Sequence, residues 1–499
     1  METSLVVTHI VLTFQKKLFI IKKYAMAQGR WHEKPLKEMD GMRKRITAIV
    51  LAVLCLLMSN CLAMSKESKA DLDNELAQMV GDTGTKVPGL GVIAFKDGKE
   101  VYSSFQGSSL INSQNPQKNH PFTRESRFRV ASVSKMFTVF TIMQLVEQGK
   151  INLDEDVSKY LGFTLRNPNY PDKPITVRML ASHQSSLRDG KIYSIPPQMG
   201  LQEFFRKDGK FYEGGAHFAP AGQEPGKYFA YSNLNYGLLG TIIEKVTGER
   251  FDQYQKNHIL KQLDIKADYL PGNFSQKEFK KLGAVYQKKD TSGVWNENGP
   301  WRATQDGYPE GQPAKDTVSL QNPYAEDFQD TYSLKDYVPG TNATVFSPAG
   351  GLRISCEELS HALSMLLNNG TYKGQQILSP NSVKAMLGRE WVYDDKTKNG
   401  NNYGGTILSY GLGIYQMDGN STARFCKDTE IDLVGHTGEA FGLLSMLAIR
   451  PNTKDGFIYI MNGEAIEEDE DARSAGRFSN NYIWEETLGD AICLHVFVR

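Results

Sequence analysis

Phe-Arg-Val-Ala-Ser-Val-Ser-Lys (128–135) places a serine and a lysine three residues apart where the chain turns into a helix. A serine hydroxyl is a weak nucleophile until a base lies beside it. On a helix, positions i and i+3 share a face, so the amine of Lys135 can reach the hydroxyl of Ser132. The spacing Ser-x-x-Lys occurs in the chain at Ser132 alone. Taken by itself it equally describes an ordinary first turn, with a capping serine and a solvated lysine.

Two further stretches change its weight. Tyr231-Ser-Asn233 lies in Tyr-Phe-Ala-Tyr-Ser-Asn-Leu-Asn-Tyr-Gly (228–237), where a phenol and an amide two residues apart can point the same way from an extended turn. The phenol can shuttle a proton, and the amide can bind a substrate carbonyl. His436-Thr437-Gly438 leads into the apolar run Leu443–Ile449. Gly438 would let a substrate backbone approach the strand closely.

In this order the three motifs resemble those of the serine beta-lactamase and penicillin-binding-protein superfamily. The closer resemblance is to its class C-like branch of esterases, D-aminopeptidases and D-Ala-D-Ala carboxypeptidases. That family is read by Ser-x-x-Lys, then Tyr-x-Asn, then Lys-Thr-Gly or His-x-Gly. Residues 149–161, 175–187 and Ser347-Pro-Ala-Gly-Gly-Leu (347–352) are similar to its supporting segments. The resemblance implies an α+β fold: an antiparallel sheet flanked by helices, a mostly helical lobe, and an active site between them.

It also implies acyl transfer through a serine ester. Ser132 attacks a carbonyl, Lys135 accepts or relays its proton, and Tyr231 passes it to the leaving group and activates the deacylating water. Lysine and tyrosine both have ordinary pKa values near ~10, so one must be depressed. Burial lowers a lysine, and a neighbouring cation lowers a tyrosine. Asn233, His436, Thr437 and Gly438 are expected to bind substrate, and the backbone N–H groups of Ser132 and Glu439 to form the oxyanion hole. No cofactor and no metal is implied.

The chain departs from the lactamase pattern at position 436, where histidine stands and no Lys-[Ser/Thr]-Gly occurs anywhere. An ordinary histidine is largely neutral at pH 7, so a charge gate for substrate carboxylates would titrate near pH ~6.5. Glu439 follows and can restrict bulky bicyclic substrates. Both features favour an ester or a D-amino-acid amide of peptidoglycan type. The alternatives are a class C-like beta-lactamase and a cell-wall-binding protein that is acylated without turnover.

The 499 residues carry 57 basic and 57 acidic side chains, with 40% hydrophobic and 23% charged positions. Such a balance offers no electrostatic footprint for nucleic acid. The expected partner is a small-molecule or peptide substrate, with cell-wall contact. Arg43-Lys44-Arg45, the apolar run Ile46–Met58 and the small residues up to Ala63 have the order of a secretory signal peptide starting at Met42. Residues 1–41 then read as a mis-assigned extension, and the mature chain has no membrane span and is secreted or periplasmic. Cys61 is a weak lipoprotein match. Of the other cysteines, Cys55 lies in the signal region, and Cys356, Cys426 and Cys493 allow at most one internal bridge.

Residues 64–79 read as a linker, with helix-forming character from Ala70 to Val80, and 80–499 as one hydrolase domain. Asp97-Gly98 marks a hairpin within 91–103. Apolar periodicity predicts helices over 132–148, 153–161, 175–187, 234–249, 357–368 and 472–488. Strands are expected over 410–417, 443–450 and 457–461, giving one sheet assembled from both chain ends. Residues 270–345 lack periodicity and read as a loop-rich excursion.

Overall fold

The computed structural model describes residues 64–498, apart from 113–114, 309, 321–330 and 468–474. The expected signal peptide, Cys61 and the extension 1–41 lie outside the described residues.

Among the described residues, nine strands form the main antiparallel sheet. They are β1 (Gly89–Lys96), β2 (Lys99–Leu110), β3 (His120–Pro121), β4 (Trp391–Val392), β5 (Ser409–Tyr410), β6 (Tyr415–Met417), β7 (Leu433–Ala440), β8 (Leu443–Ile449) and β9 (Gly456–Met461), in spatial order β4-β5-β6-β7-β8-β9-β1-β2-β3. Leu90 of β1 pairs with Met461 of β9, so the sheet does join the two ends of the chain. Asp97 and Gly98 both take positive φ in the β1–β2 turn, the backbone that the Asp-Gly pair favours.

Every residue of β8 and β9 is buried, because both faces of the sheet are covered. Ile93, Leu447, Ile458 and Ile460 face the larger core, shared with the helical lobe. Val92, Met446, Tyr459 and Met461 alternate to the other face. The period-2 geometry of strands makes this division.

The long helices are α1 (Lys66–Met79), α2 (Ser134–Glu147), α3 (Leu234–Thr247), α4 (Cys356–Leu367) and α5 (Ile483–Ile492). Helix α2 is buried along nearly its whole length. Helix α4 starts with a capping box between Ser355 and Glu358 and packs on the sheet.

Several expectations are corrected. Residues 64–79 are not a linker: α1 is capped by Ser65, and Leu72 and Leu76 are fully buried beside α5. Each burial is worth about 2 kcal/mol. The helix expected over 175–187 closes after Val177–Ala181, and the polar run after it turns inward. The strand expected over 410–417 is two strands broken at Gly413, whose φ is +68°. The last helix begins at Ile483, and part of its expected span lies outside the described residues. The excursion 270–345 holds a small sheet in which Ala284–Gln287 pairs with Arg302–Asp306 and with Gly463–Glu464.

Cys426 and Cys493 form a disulfide, which fastens the segment before β7 to the C-terminal end of α5. Cys356 is buried and free. Among the described residues no helix is long and apolar enough to cross a membrane.

Candidate active site

The turn that carries Ser132 is a short 3-10 segment, Ala131–Val133, running directly into α2. Ala131 holds a positive φ of +46°, a left-handed backbone unusual outside glycine. Strand β7 lies against this turn. A Cβ on Gly438 would sit 2.4 Å from Val130 O and 3.2 Å from the Ser132 amide nitrogen. Gly438 is therefore required by the approach of the strand to the nucleophile turn.

Lys135 Nζ lies 3.0 Å from Ser132 Oγ, 2.8 Å from Asn233 Oδ1 and 3.0 Å from the carbonyl oxygen of Ala349. The amine is completely buried, and this burial pulls its pKa down to about 7, against an opposing pull from the Asp189 carboxylate. A buried ammonium has lost its hydration, so the neutral amine gains relative to it.

The Tyr231 hydroxyl lies beside Ser132, and its ring lies 4.7 Å from Lys135 Nζ. Burial raises the phenol well above its ordinary value, so Tyr231 keeps its proton. Of the two groups the sequence left open as the base, the lysine is the one whose pKa is lowered, and its amine faces the ring of Tyr231.

Asn233 is anchored at both ends of its amide. Its oxygen accepts from Lys135, and its Nδ2 donates to Asp189 Oδ2 at 3.0 Å. Asp189 Oδ1 also accepts from Ser232 Oγ and from the backbone N–H of Leu234, the first residue of α3. His183 Nδ1 accepts from the Ser232 N–H, and its ring packs 4.3 Å from that of Tyr231. Asp189 and His183 thus hold the whole 231–234 turn. Neither was singled out from the sequence. Both lie in the polar run after residue 181, whose burial no local pattern announces.

His436 is 2% exposed and neutral. Its Nδ1–H donates to the carbonyl of Thr437, which leaves Nε2 to accept from the hydroxyl of Tyr410 at 2.9 Å. Protonating Nε2 would break that bond in a site that already holds Lys135. Burial, and then the lysine, lower the ring pKa to about 3. The expected charge gate near neutral pH is therefore absent. Thr437 Oγ1 bonds Tyr415 Oη at 2.7 Å, and Glu439 is exposed at the end of β7. Among the described residues no group of His, Cys, Asp or Glu side chains is placed to hold a metal ion.

Comparison with known proteins agrees with this architecture. The family model described as Beta-lactamase matches residues 72–479. The chain is similar to Protein flp of Staphylococcus aureus strain MW2, 30% identical over 36% of this chain and 34% of that protein. It is also similar to the N-acetylmuramyl-L-alanine amidase of Bacillus subtilis strain 168, 30% identical over 37% of this chain and 43% of that protein. It spans less than half the length of these curated relatives. Among solved structures, the octameric penicillin-binding protein homologue from Pyrococcus abyssi superposes with a TM-score of 0.54 at 22% identity, over 80% of this chain and 74% of that one. The D-amino acid amidase from Ochrobactrum anthropi SV3 does so with a TM-score of 0.54 at 18% identity, over 86% of this chain and 100% of that one. Both share the sheet-and-helical-lobe fold. With the motifs at Ser132, Tyr231 and His436 inside the matched span, the chain belongs to the beta-lactamase family.

Proposed function

We propose that the protein is an exported serine hydrolase that works through an acyl-serine intermediate on esters or on D-amino-acid amides of peptidoglycan type. The observation that carries this reading is the contact of Lys135 Nζ with Ser132 Oγ at 3.0 Å, with the amine brought to a pKa of about 7. A base near neutrality beside a serine hydroxyl is the requirement for attack at physiological pH.

Ser132 Oγ attacks the substrate carbonyl carbon, and its proton passes to the neutral amine of Lys135. The backbone N–H groups of Ser132 and Glu439 take the oxyanion. Tyr231, still protonated, gives its proton to the leaving group and is resupplied from the Lys135 ammonium. The leaving group departs as an alcohol or amine, and water hydrolyses the acyl-serine by the reverse proton path. Asn233 acts as the strut that aims Lys135, and Thr437 faces the substrate from β7.

The amidase relative supports an amide of cell-wall peptide over a beta-lactam, as does a neutral His436 in place of a permanent cation. The buried Cys426–Cys493 disulfide supports export, because such bridges persist in oxidising compartments.

The test is mass-spectrometric detection of an acyl adduct on Ser132 across a panel of esters, D-amino-acid amides and lactams. Ser132→Ala is expected to lose the adduct and all turnover while keeping its circular dichroism spectrum. Undiminished turnover in Ser132→Ala would remove the proposal. Stoichiometric acylation without release would identify a penicillin-binding protein without turnover. Fast release from cephalosporins alone would identify a beta-lactamase.

A further inference from the structure

Arg129 stands three residues before the nucleophile at the edge of a cavity of about 850 Å³. Among the described residues its guanidinium has no carboxylate partner. Nε donates to Gly350 O at 2.9 Å, one terminal nitrogen to Gln305 Oε1 at 3.2 Å, and the other to Ser347 Oγ at 3.3 Å. The plane lies 5.1 Å from the ring of Phe441. These contacts use three of the five guanidinium N–H groups, which leaves one on each terminal nitrogen.

The nearby acid is committed elsewhere. Asp306, fully buried, pairs with Arg353 through both carboxylate oxygens. Among the described residues the remaining charged groups lining the cavity are Lys191 and Glu310, both at its exposed margin. The inner wall therefore holds two guanidinium groups against one carboxylate. Burial and the neighbouring Arg353 lower Arg129 to about 10, which still leaves it charged at neutral pH. An unpaired, half-buried cation in a walled cavity is costly unless something anionic visits it.

The cavity adjoins the candidate active site. Ser347 and Gly351 line it, and Ala349 between them bonds Lys135. Tyr193, also in the lining, senses both the Arg129 cation and the Asp189 carboxylate. Along β7, His436 lies on the side of Lys135, Gly438 abuts the Ser132 turn, and Phe441 follows the strand over Arg129. From Gly438 to Phe441 is a reach of about 10 Å.

Building on the proposed hydrolase activity, we propose that Arg129 and this cavity form a subsite for a carboxylate on the acyl side of the substrate, reached past the end of β7 from the Ser132 turn. The vacant guanidinium edge takes the carboxylate through both terminal nitrogens, and Phe441 and Gln305 hold the plane in place. With His436 neutral, the subsite supplies the cation that the His-Thr-Gly strand lacks, but at its opposite end.

The test compares N-glutaryl-D-alanine p-nitroanilide with its N-valeryl counterpart, equal in length and uncharged. Wild type is expected to favour the glutaryl compound in kcat/KM. Arg129→Gln is expected to lower that preference about thirty-fold, the size of a charge-assisted pair, and Arg129→Lys to lower it less. The ratio within one variant is independent of the folded fraction, so a damaged fold moves both rates together. An unchanged ratio overturns the proposal. A carboxylate placed on the leaving anilide should gain nothing from Arg129, and dependence there would put the subsite on the wrong side. If wild type turns over neither compound, calorimetric binding to Ser132→Ala with and without Arg129→Gln still decides the subsite. Equal binding of both compounds in both backgrounds would reject it.

Discussion

Asn233 Nδ2 donates to Asp189 Oδ2 at 3.0 Å, and the same amide accepts from Lys135 Nζ at 2.8 Å through its oxygen. The amide is therefore held in one orientation, and the Asp189 carboxylate sets the position of the base through it. Removing Asp189 has two separable consequences. Asp189→Asn keeps an acceptor for the Leu234 N–H but sets its own amide NH2 against that of Asn233, which should cut kcat about ten- to a hundred-fold and cost about 1–3 kcal/mol of stability. It also removes the anion that favours the Lys135 ammonium, so the acid limb of the kcat/KM profile should move to lower pH. An unmoved limb would show that Asp189 is structural only.

Lys135 should impose its own pH dependence on activity and stability. Activity requires the free amine and should rise with pH through about 7. The folded-state pKa lies below the ordinary 10.5, so between those values the unfolded chain binds more protons than the folded one. Stability due to this group therefore rises with pH across that window. Urea unfolding of wild type and Lys135→Met from pH 6 to 10 should show their difference shifting toward wild type as pH increases. A constant difference would contradict a depressed lysine.

Gly438→Ala places a methyl group 2.4 Å from Val130 O, against backbone that cannot rotate away. Either β7 or the Ser132 turn must shift. The expected result is a loss of at least about a hundred-fold in kcat with about 1–3 kcal/mol of destabilisation. Thermal melts and ester kinetics on one preparation check both.

His436 should show no protonation step between pH 5 and 8 in ¹⁵N NMR of the ring nitrogens, because its pKa is held near 3. Nδ1 should carry the proton throughout, since the Thr437 carbonyl can only accept. A midpoint near 6.5 would restore the charge gate.

The Cys426–Cys493 bridge spans a sequence separation of 67. Closing a loop of that size is worth about 4 kcal/mol. Cys426→Ser with Cys493→Ser, or reduction of the native protein, should lower Tm accordingly. Labelling of α5 by hydrogen exchange should increase first, since the bridge anchors that helix.

The three motifs, the α+β class and the pairing of the chain ends are legible because they rest on local spacing and periodicity. Ser132 and Lys135 share a helical face, Asp97-Gly98 fits its turn, and the apolar runs of β8 and β9 need burial on both faces. Less legible were the elements whose behaviour depends on distant packing. Residues 64–79 are polar enough to pass for a linker until Leu72 and Leu76 meet α5. The run after residue 181 is buried by partners it meets only in the folded chain, as where Asp189 meets residues 232–234 and His183 packs on Tyr231.

Sequence alone determined which side chains are the candidates for the chemistry, since serine, amine, phenol and histidine are set by identity and spacing. Only the tertiary structure decided their states. Lys135 and Tyr231 have nearly equal intrinsic pKa values, and burial sends one down and the other up because it penalises charge on each. The same burial holds His436 neutral, gives Gly438 its reason and leaves Arg129 without a carboxylate partner among the described residues. These are properties of an environment assembled from residues hundreds of positions apart, and no window of sequence contains them.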